Sequence, residues 1–126
     1  MTKKIDLGKV GPTGDTVSVT GTLADSTLGA GDRTDYFVTL KREEGPVIAP
    51  LSIWIILIGA PDLNLYPPYN PNGNGRISDL APGESKIIRF LIENGPERDG
   101  LAAFSLLCVI QWDEHPPFVL PAFNVP

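Results

Sequence analysis

The single histidine of the chain, His115, directly follows Asp113 and Glu114. This is the one place in the sequence where acidic side chains and the histidine are neighbours. Acid–base catalysis needs such groups in a pocket, beside a nucleophile or a metal. Pro116 and Pro117 follow at once, and a short polar segment ended by prolines is typical of a solvated turn. The sequence therefore predicts a protein without enzymatic activity, and a small enzyme using His115 is the less favoured alternative.

A second candidate site is the oxygen-rich stretch between residues 62 and 79. Calcium prefers about six to eight hard oxygen ligands, which Asp and Asn side chains and loop carbonyls can supply. The candidate calcium ligands are Asp62, Asn64, Asn72, Asn74 and Asp79. The favoured interpretation is a polar turn without metal. Calcium is the one cofactor for which the sequence offers candidate ligands.

Two tyrosines lie in the same region, which is rich in proline and asparagine. Tyr66 and Tyr69 belong to the segment 61–75, where prolines stiffen the chain and Asn-Gly steps favour turns. Exposed aromatic rings in such a loop can stack on a sugar or on a proline-rich peptide. We expect this loop to be a presented surface, with both tyrosines as ligand-binding residues and a protein or a polysaccharide as the partner.

Charge and cysteine content exclude other classes of site. The net charge of −5 and the pI of about 4.7 disfavour a nucleic-acid surface and a polybasic membrane patch. The single cysteine, Cys108, excludes an internal disulfide and a multi-cysteine zinc site, and in mid-strand it is expected to be a small buried hydrophobic residue. The longest apolar run, 51–60, is about half the length of a membrane-spanning helix, so we expect no membrane insertion.

The elements that must position these residues are short strands. The chain has 126 residues, which suits one domain, and its 13 glycines and 13 prolines argue against long helices. Alternating or doubly apolar segments predict strands at 16–23, 35–40, 51–58, 62–66, 85–92 and 101–112. We expect one all-β domain over 1–126, an antiparallel β-sandwich or jelly roll of about seven strands. Residues 1–15 are expected as an N-terminal arm, 41–45 as a charged turn and 113–126 as a proline-broken tail.

Two of the predicted strands are apolar on both faces, one over 51–58 and the other over 101–109. A strand of an ordinary sandwich has one buried face and one wet face, so here something must cover the second face. One interpretation is that loops or the C-terminal tail cover it. The favoured interpretation is a homo-oligomer, because large exposed apolar patches are rare on soluble monomers. The predicted oligomer interface consists of Trp54, Ile56, Ile58, Leu107 and Val109.

Three segments carry a resemblance to a known family. The segments are Thr34–Leu40, Asp62–Tyr66 and the Asn-Gly turn around Asn72. Together they resemble the bacterial pre-peptidase C-terminal domains, in which a strand with an Asp-Tyr-Tyr-type motif precedes an Asp-x-Asp-Leu-Tyr segment and an Asn-Gly turn. This sequence has Asn64 where the family pattern has an acidic residue. The resemblance implies a β-sandwich module of secreted enzymes, without catalytic activity, that binds a polymer or a protein.

The sequence therefore predicts a non-catalytic binding or assembly module that acts through an apolar oligomer interface and the loop 61–75. A structural component of a larger particle, such as a virion decoration, a fibre or a surface assembly, is the alternative. The N-terminus shows the charge of a signal peptide without its apolar stretch, since Asp6 and Lys9 stand where that stretch is required. An extracellular, cell-surface or virion location is favoured by analogy of fold alone.

Overall fold

The computed structural model describes residues 2–45, 50–58, 63–66, 76–77, 80–95 and 104–125. Every regular element within these ranges is a β-strand. The strands are β1 (Lys3–Val10), β2 (Thr16–Leu23), β3 (Arg33–Glu44), β4 (Leu51–Ile58), β5 (Leu63–Leu65), β6 (Arg76–Ile77), β7 (Ser85–Asn94), β8 (Phe104–Trp112), β9 (Phe118–Val119) and β10 (Phe123–Val125).

The strands form two antiparallel sheets that enclose one core. The first sheet has the order β1-β2-β3-β7-β5, and the second has the order β10-β8-β4-β6, with β9 also paired to β8. The orders β2-β3-β7-β5 and β10-β8-β4 correspond to the two sheets of an immunoglobulin-type sandwich. The predicted all-β sandwich is confirmed, and the strand order distinguishes it from a jelly roll.

Period-two alternation explains how the core is built. In β2 every second residue is buried, and in β3 the alternation continues from Thr34 to Arg42. Tyr36 and Val38 of the first sheet and Ile53 and Leu106 of the second sheet belong to the same hydrophobic cluster. The inner faces of both sheets thus share one layer of side chains, and this fixes which residues point outward.

Some strands have the bounds that the hydrophobic pattern predicted, and others differ. β2 and β4 have the predicted bounds, and β7 extends the predicted strand by two residues to Asn94. β8 begins at Phe104 within the described part of the chain. The prediction of a charged turn at 41–45 was wrong, because β3 continues to Glu44 and buries Arg42 completely.

Both chain ends were expected outside the sheets, and the structure places strands in both. Residues 3–10, expected as part of an arm, form β1 and pair with β2; the register shifts between Asp6 and Gly8, where Gly8 has φ 97°. In the expected tail, β9 and β10 both pair with β8. Phe123 of β10 is fully buried, so the tail is part of the second sheet and of the core.

A buried polar cluster closes one end of the sandwich. The Asp15 carboxylate accepts hydrogen bonds from Arg42 Nε (3.1 Å) and Nη2 (2.9 Å) and from Trp112 Nε1 (2.7 Å). Arg42 also donates to the carbonyl of Leu80. Because Arg42 lies on β3 and Trp112 on β8, these three residues, called the Asp15 cluster below, join the two sheets through one carboxylate.

Close packing around Gly21 gives a first testable prediction. A Cβ added at Gly21 would lie 2.3 Å from the hydroxyl oxygen of Tyr36 and 3.0 Å from its Cζ. That hydroxyl is buried and finds no hydrogen-bond partner among the described residues. We expect Gly21→Ala to lower the free energy of unfolding by about 1–3 kcal/mol through overpacking. Chemical denaturation measures this change.

The rescue variant for this prediction is Tyr36→Phe, which removes the hydroxyl and keeps the ring. We expect Gly21→Ala to cost less stability in the Tyr36→Phe background than in the wild type, because the closest clash is gone. Equal costs in the two backgrounds would contradict the packing described for Gly21.

Candidate functional site

The outward side of the second sheet carries a continuous apolar surface. Its large side chains are strongly exposed: Trp54 to 37%, Ile56 to 44%, Ile58 to 45% and Val119 to 62%. Together with two residues of β8 they form what is called below the outer apolar face, made up of Trp54, Ile56, Ile58, Leu107, Val109 and Val119. It contains all five residues that the sequence predicted as an oligomer interface.

Strand register arranges this face in rows across the sheet. Trp54 of β4 pairs with Val109 of β8, which in turn pairs with Val119 of β9. Ile56 pairs with Leu107 in the next row. Paired residues of neighbouring antiparallel strands lie on the same side of a sheet, so these side chains are in mutual contact range. The face is therefore one patch rather than a set of scattered hydrophobic residues.

Val109 differs from the expectation for an interface residue, because only 3% of it is exposed. It lies in the middle of its row, between Trp54 and Val119, and such a small side chain is covered by its neighbours. We expect Val109 to pack against the exposed side chains of the face and to contribute little accessible area itself. Leu107 is partly exposed.

The interpretation that the C-terminal tail covers this face holds only at Val109. Phe123 and Leu120 are in the core, and Phe118 packs against it with an edge-to-face contact to Trp112, 5.6 Å between ring centroids. Val119 is the exception in the tail, since it points outward and extends the outer apolar face. The tail thus fills the sandwich and enlarges the patch.

The outward side of the first sheet has the opposite character. Arg89 of β7 binds Asp35 of β3 at 2.7 Å, and Arg33 binds Glu93. The large hydrophobic residues on this side of β7 are Ile87, which is 63% exposed, and the partly exposed Leu91. Opposite charges paired across strands are typical of a solvated surface. This contrast indicates that the outward side of the second sheet, rather than that of the first, is the surface to be shielded from water.

The rim of the outer apolar face is polar and nearly neutral. Ser52 pairs with Gln111 at one end, and Ser105 pairs with Asn124 at the other, where the Ser105 hydroxyl donates to the Asn124 amide oxygen at 2.7 Å. The charged side chain that the described strands add is Arg76 of β6, opposite Ser52.

Arg76 is held in a two-pronged ion pair at this rim. Its two terminal nitrogens donate to the Asp113 carboxylate oxygens at 2.9 and 2.6 Å. The guanidinium holds the pKa of the Asp113 carboxyl below its usual value. The pair adds no net charge to this end of the face.

The acid–base cluster at 113–115 forms a turn beside the Asp15 cluster. The Gln111 side-chain amide donates to the carbonyl of His115 at 2.8 Å, which helps to fix the turn. A pocket of about 270 Å³ is lined by His115 together with Asp15 and Asp113. Both carboxylates are held by arginines, and this arrangement suits a structural turn better than acid–base catalysis.

Cys108 lies on the inner face of β8, and burial raises the pKa of its thiol to about 12. A thiol that stays protonated at neutral pH is a poor nucleophile. Cys108 therefore acts as the small core residue that the sequence predicted.

The predicted calcium and ligand sites lie mostly outside the described residues. Asn64 is exposed on β5, opposite Glu93, whereas four of the five candidate ligands are not described: Asp62, Asn72, Asn74 and Asp79. Among the described residues, no group of three or more His, Cys, Asp or Glu side chains could hold a metal ion. The calcium site stays a prediction.

Of the two tyrosines, Tyr66 is described and Tyr69 is not. Tyr66 is 37% exposed, and its hydroxyl donates to the Glu93 carboxylate at 3.2 Å. The ring is therefore accessible and its orientation is held by a strand of the first sheet. Its role in ligand binding stays a prediction.

The part of the chain that the structure describes contains no helix long and apolar enough to span a membrane.

Two solved structures with similar shape are domains of yeast proteins. The GAE domain of GGA2p from Saccharomyces cerevisiae is 12% identical, with a TM-score of 0.46, over 94% of this chain and 96% of that chain. The GAE domain of yeast GGA1 is 7% identical, with a TM-score of 0.46, over 98% of this chain and 99% of that chain. No family model matches this sequence, and no curated protein matches it. Likeness at this level supports no statement about function.

Proposed function

We propose that the protein is a non-catalytic β-sandwich module that assembles with protein through the outer apolar face. The observation that supports this proposal is the exposure of Trp54, Ile56, Ile58 and Val119 on one side of a sandwich whose other side is charged and paired. Soluble monomers rarely leave such a patch open to water, whereas interaction sites commonly have one.

The size of the face suits an interface core. Four large side chains of one contiguous patch are between 37% and 62% exposed. The largest apolar patch on a soluble protein is often functional. Tryptophan is among the residue types most enriched in energetic anchors of interfaces. Trp54, which has Ile56 next to it on the outward side of β4 and Val109 beside it on β8, is therefore the proposed anchor.

The loop 61–75 is proposed as a second contact surface, for protein or polysaccharide. Tyr66, at the edge of this loop, carries the accessible ring described above. This part of the proposal also agrees with the resemblance to pre-peptidase C-terminal domains, which implies a module that binds a polymer or a protein.

Replacing Ile56 by glutamate tests the assembly function. Multi-angle light scattering at micromolar concentration is expected to give a wild-type mass that is a multiple of 13.6 kDa, the mass of one chain. Ile56→Glu is expected to give the mass of one chain, because a buried unpaired carboxylate costs several kcal/mol in an apolar interface.

The matched control is Ile87→Glu, on the outward side of the first sheet, where the side chain is also exposed. It is expected to leave the oligomeric state unchanged. A wild-type mass of one chain, or equal loss of assembly in both variants, would contradict the proposed role of the outer apolar face.

A further inference from the structure

An accessible aromatic ring lies on the outward side of the first sheet, away from the outer apolar face. Tyr66 directly follows β5, and its backbone N–H donates to the carbonyl of Leu91 at 2.9 Å, so it continues the pairing of β5 with β7. The residue is 37% exposed, and its hydroxyl donates to the Glu93 carboxylate at 3.2 Å. The Tyr66 ring is therefore open to solvent and held in its direction.

Strand register places hydrogen-bonding side chains beside this ring. Glu93 pairs with Asn64 on one side and with Arg33 on the other, and its carboxylate also binds Arg33 Nε. Asn64 is exposed, and the Arg33 side chain is 67% exposed. An amide offers both donors and an acceptor, and a guanidinium has several N–H donors besides Nε. Tyr66 thus adjoins a row of three planar polar groups: an amide, a carboxylate and a guanidinium.

The next row across the sheet is less polar. It runs from Tyr66 through Leu91, which is partly exposed, to Asp35 of β3, whose carboxylate is bound by Arg89 at 2.7 Å. Neighbouring strands lie about 4.8 Å apart, so an aromatic ring, an aliphatic side chain and a carboxylate follow one another at regular steps. An apolar strip beside planar polar groups suits a pyranose ring, whose C–H face packs on an aromatic ring while its hydroxyls form hydrogen bonds at the edge.

We infer that this surface binds an extended polysaccharide chain that crosses the strands, with one sugar unit stacked on Tyr66 and the next over Leu91, beside Glu93. The strand spacing is close to the length of one unit in an extended β-1,4-linked chain, so successive units meet successive strands. Sugar hydroxyls replace the hydrogen bonds of displaced water at the charged pairs, which an apolar partner cannot do. The inference rests on the second contact surface proposed for the loop 61–75, and it commits that surface to one class of ligand.

Isothermal titration calorimetry of the full-length chain with two β-1,4-linked probes, cellohexaose and chitohexaose, tests the inference. We expect at least one of them to bind, and Tyr66→Ala to weaken that binding about tenfold or more, because the stacking surface is lost. Tyr66→Phe keeps the ring and is expected to stay within about threefold of the wild type. The matched control is Ile87→Ala, which removes an exposed apolar side chain from the same side of β7 outside the row and is expected to leave binding unchanged.

The outcomes separate this inference from the proposed assembly. If the wild type is a monomer that binds a hexasaccharide through Tyr66, the assembly function is wrong and this inference stands. If the wild type assembles but binds neither hexasaccharide, or if Tyr66→Ala folds by circular dichroism and binds as tightly as the wild type, this inference alone is wrong. If decaproline binds in their place and Tyr66→Ala abolishes that binding, the surface recognises a peptide, which also overturns the inference.

Discussion

Replacing Asp15 by alanine is expected to lower the free energy of unfolding by about 3–5 kcal/mol, because it leaves the guanidinium of Arg42 buried without its counter-ion. Arg42 is 0% exposed, and two of its nitrogens donate to the Asp15 carboxylate. The same substitution removes the acceptor of the Trp112 indole N–H. Since small domains are stable by about 5–15 kcal/mol, this loss takes the protein close to unfolding. Urea denaturation followed by tryptophan fluorescence measures it.

The matched control is Asp113→Ala, which removes the carboxylate of an exposed arginine pair. Arg76 and Asp113 have 40% and 47% of their side chains exposed, so water replaces the lost partner. We expect this variant to keep most of the wild-type stability. A second variant, Asp15→Ala with Arg42→Leu, should recover part of the loss, because no unpaired charge remains. Similar stabilities for Asp15→Ala and Asp113→Ala would show that the Asp15 cluster does not hold the sheets together.

Replacing Phe123 by alanine is expected to cost about 3–5 kcal/mol, the usual effect of deleting a buried aromatic ring. The ring is fully buried and meets Tyr36 edge to face, with 5.4 Å between ring centroids. Its other neighbour is the Lys3 ammonium, 5.5 Å from the ring centroid. Phe123 thus connects the short edge strand β10 with β1 and β3 of the opposite sheet. Thermal unfolding measured by circular dichroism reports the change.

Val119→Ala is the control within the same C-terminal segment. Val119 is 62% exposed, so its truncation is expected to change stability by less than about 0.5 kcal/mol. Losses of the same size for Phe123→Ala and Val119→Ala would mean that the C-terminal segment does not anchor the core. Val119→Ala is also expected to keep the oligomer, because Trp54 and Ile56 remain.

Patterning predicted the strands whose residues alternate without interruption. β2 and β4 were placed correctly because Val17 and Val19, and Ile53 and Ile55, mark the buried side without a break. β1 was missed because the bulge at Gly8 shifts the alternation, so that Ile5 and Leu7 fall out of phase with Val10. β9 and β10 are two and three residues long and lie among prolines, too short for a periodic signal.

Within the candidate site, the sequence predicted the outer apolar face because β4 and β8 are apolar on both sides. It could not predict the accessible area at each position, which depends on strand pairing. Val109, for example, is covered between Trp54 on one neighbouring strand and Val119 on the other. The Asp15 cluster was missed because Lys41–Glu44 has the composition of a solvated turn. The signal was present in the phase of β3, since Arg42 continues the buried series of Tyr36, Val38 and Leu40.

The contact between Asp15 and Trp112 also has a kinetic meaning, because it joins residues 97 positions apart. Closing so long a loop costs chain entropy before the contact contributes anything, so we expect it to form after the main barrier to folding. Interactions absent from the transition state slow unfolding and leave the folding rate nearly unchanged. We therefore expect the Asp15 cluster to lower the unfolding rate. Slower unfolding exposes the strand edges and the core to proteases and to aggregation less often.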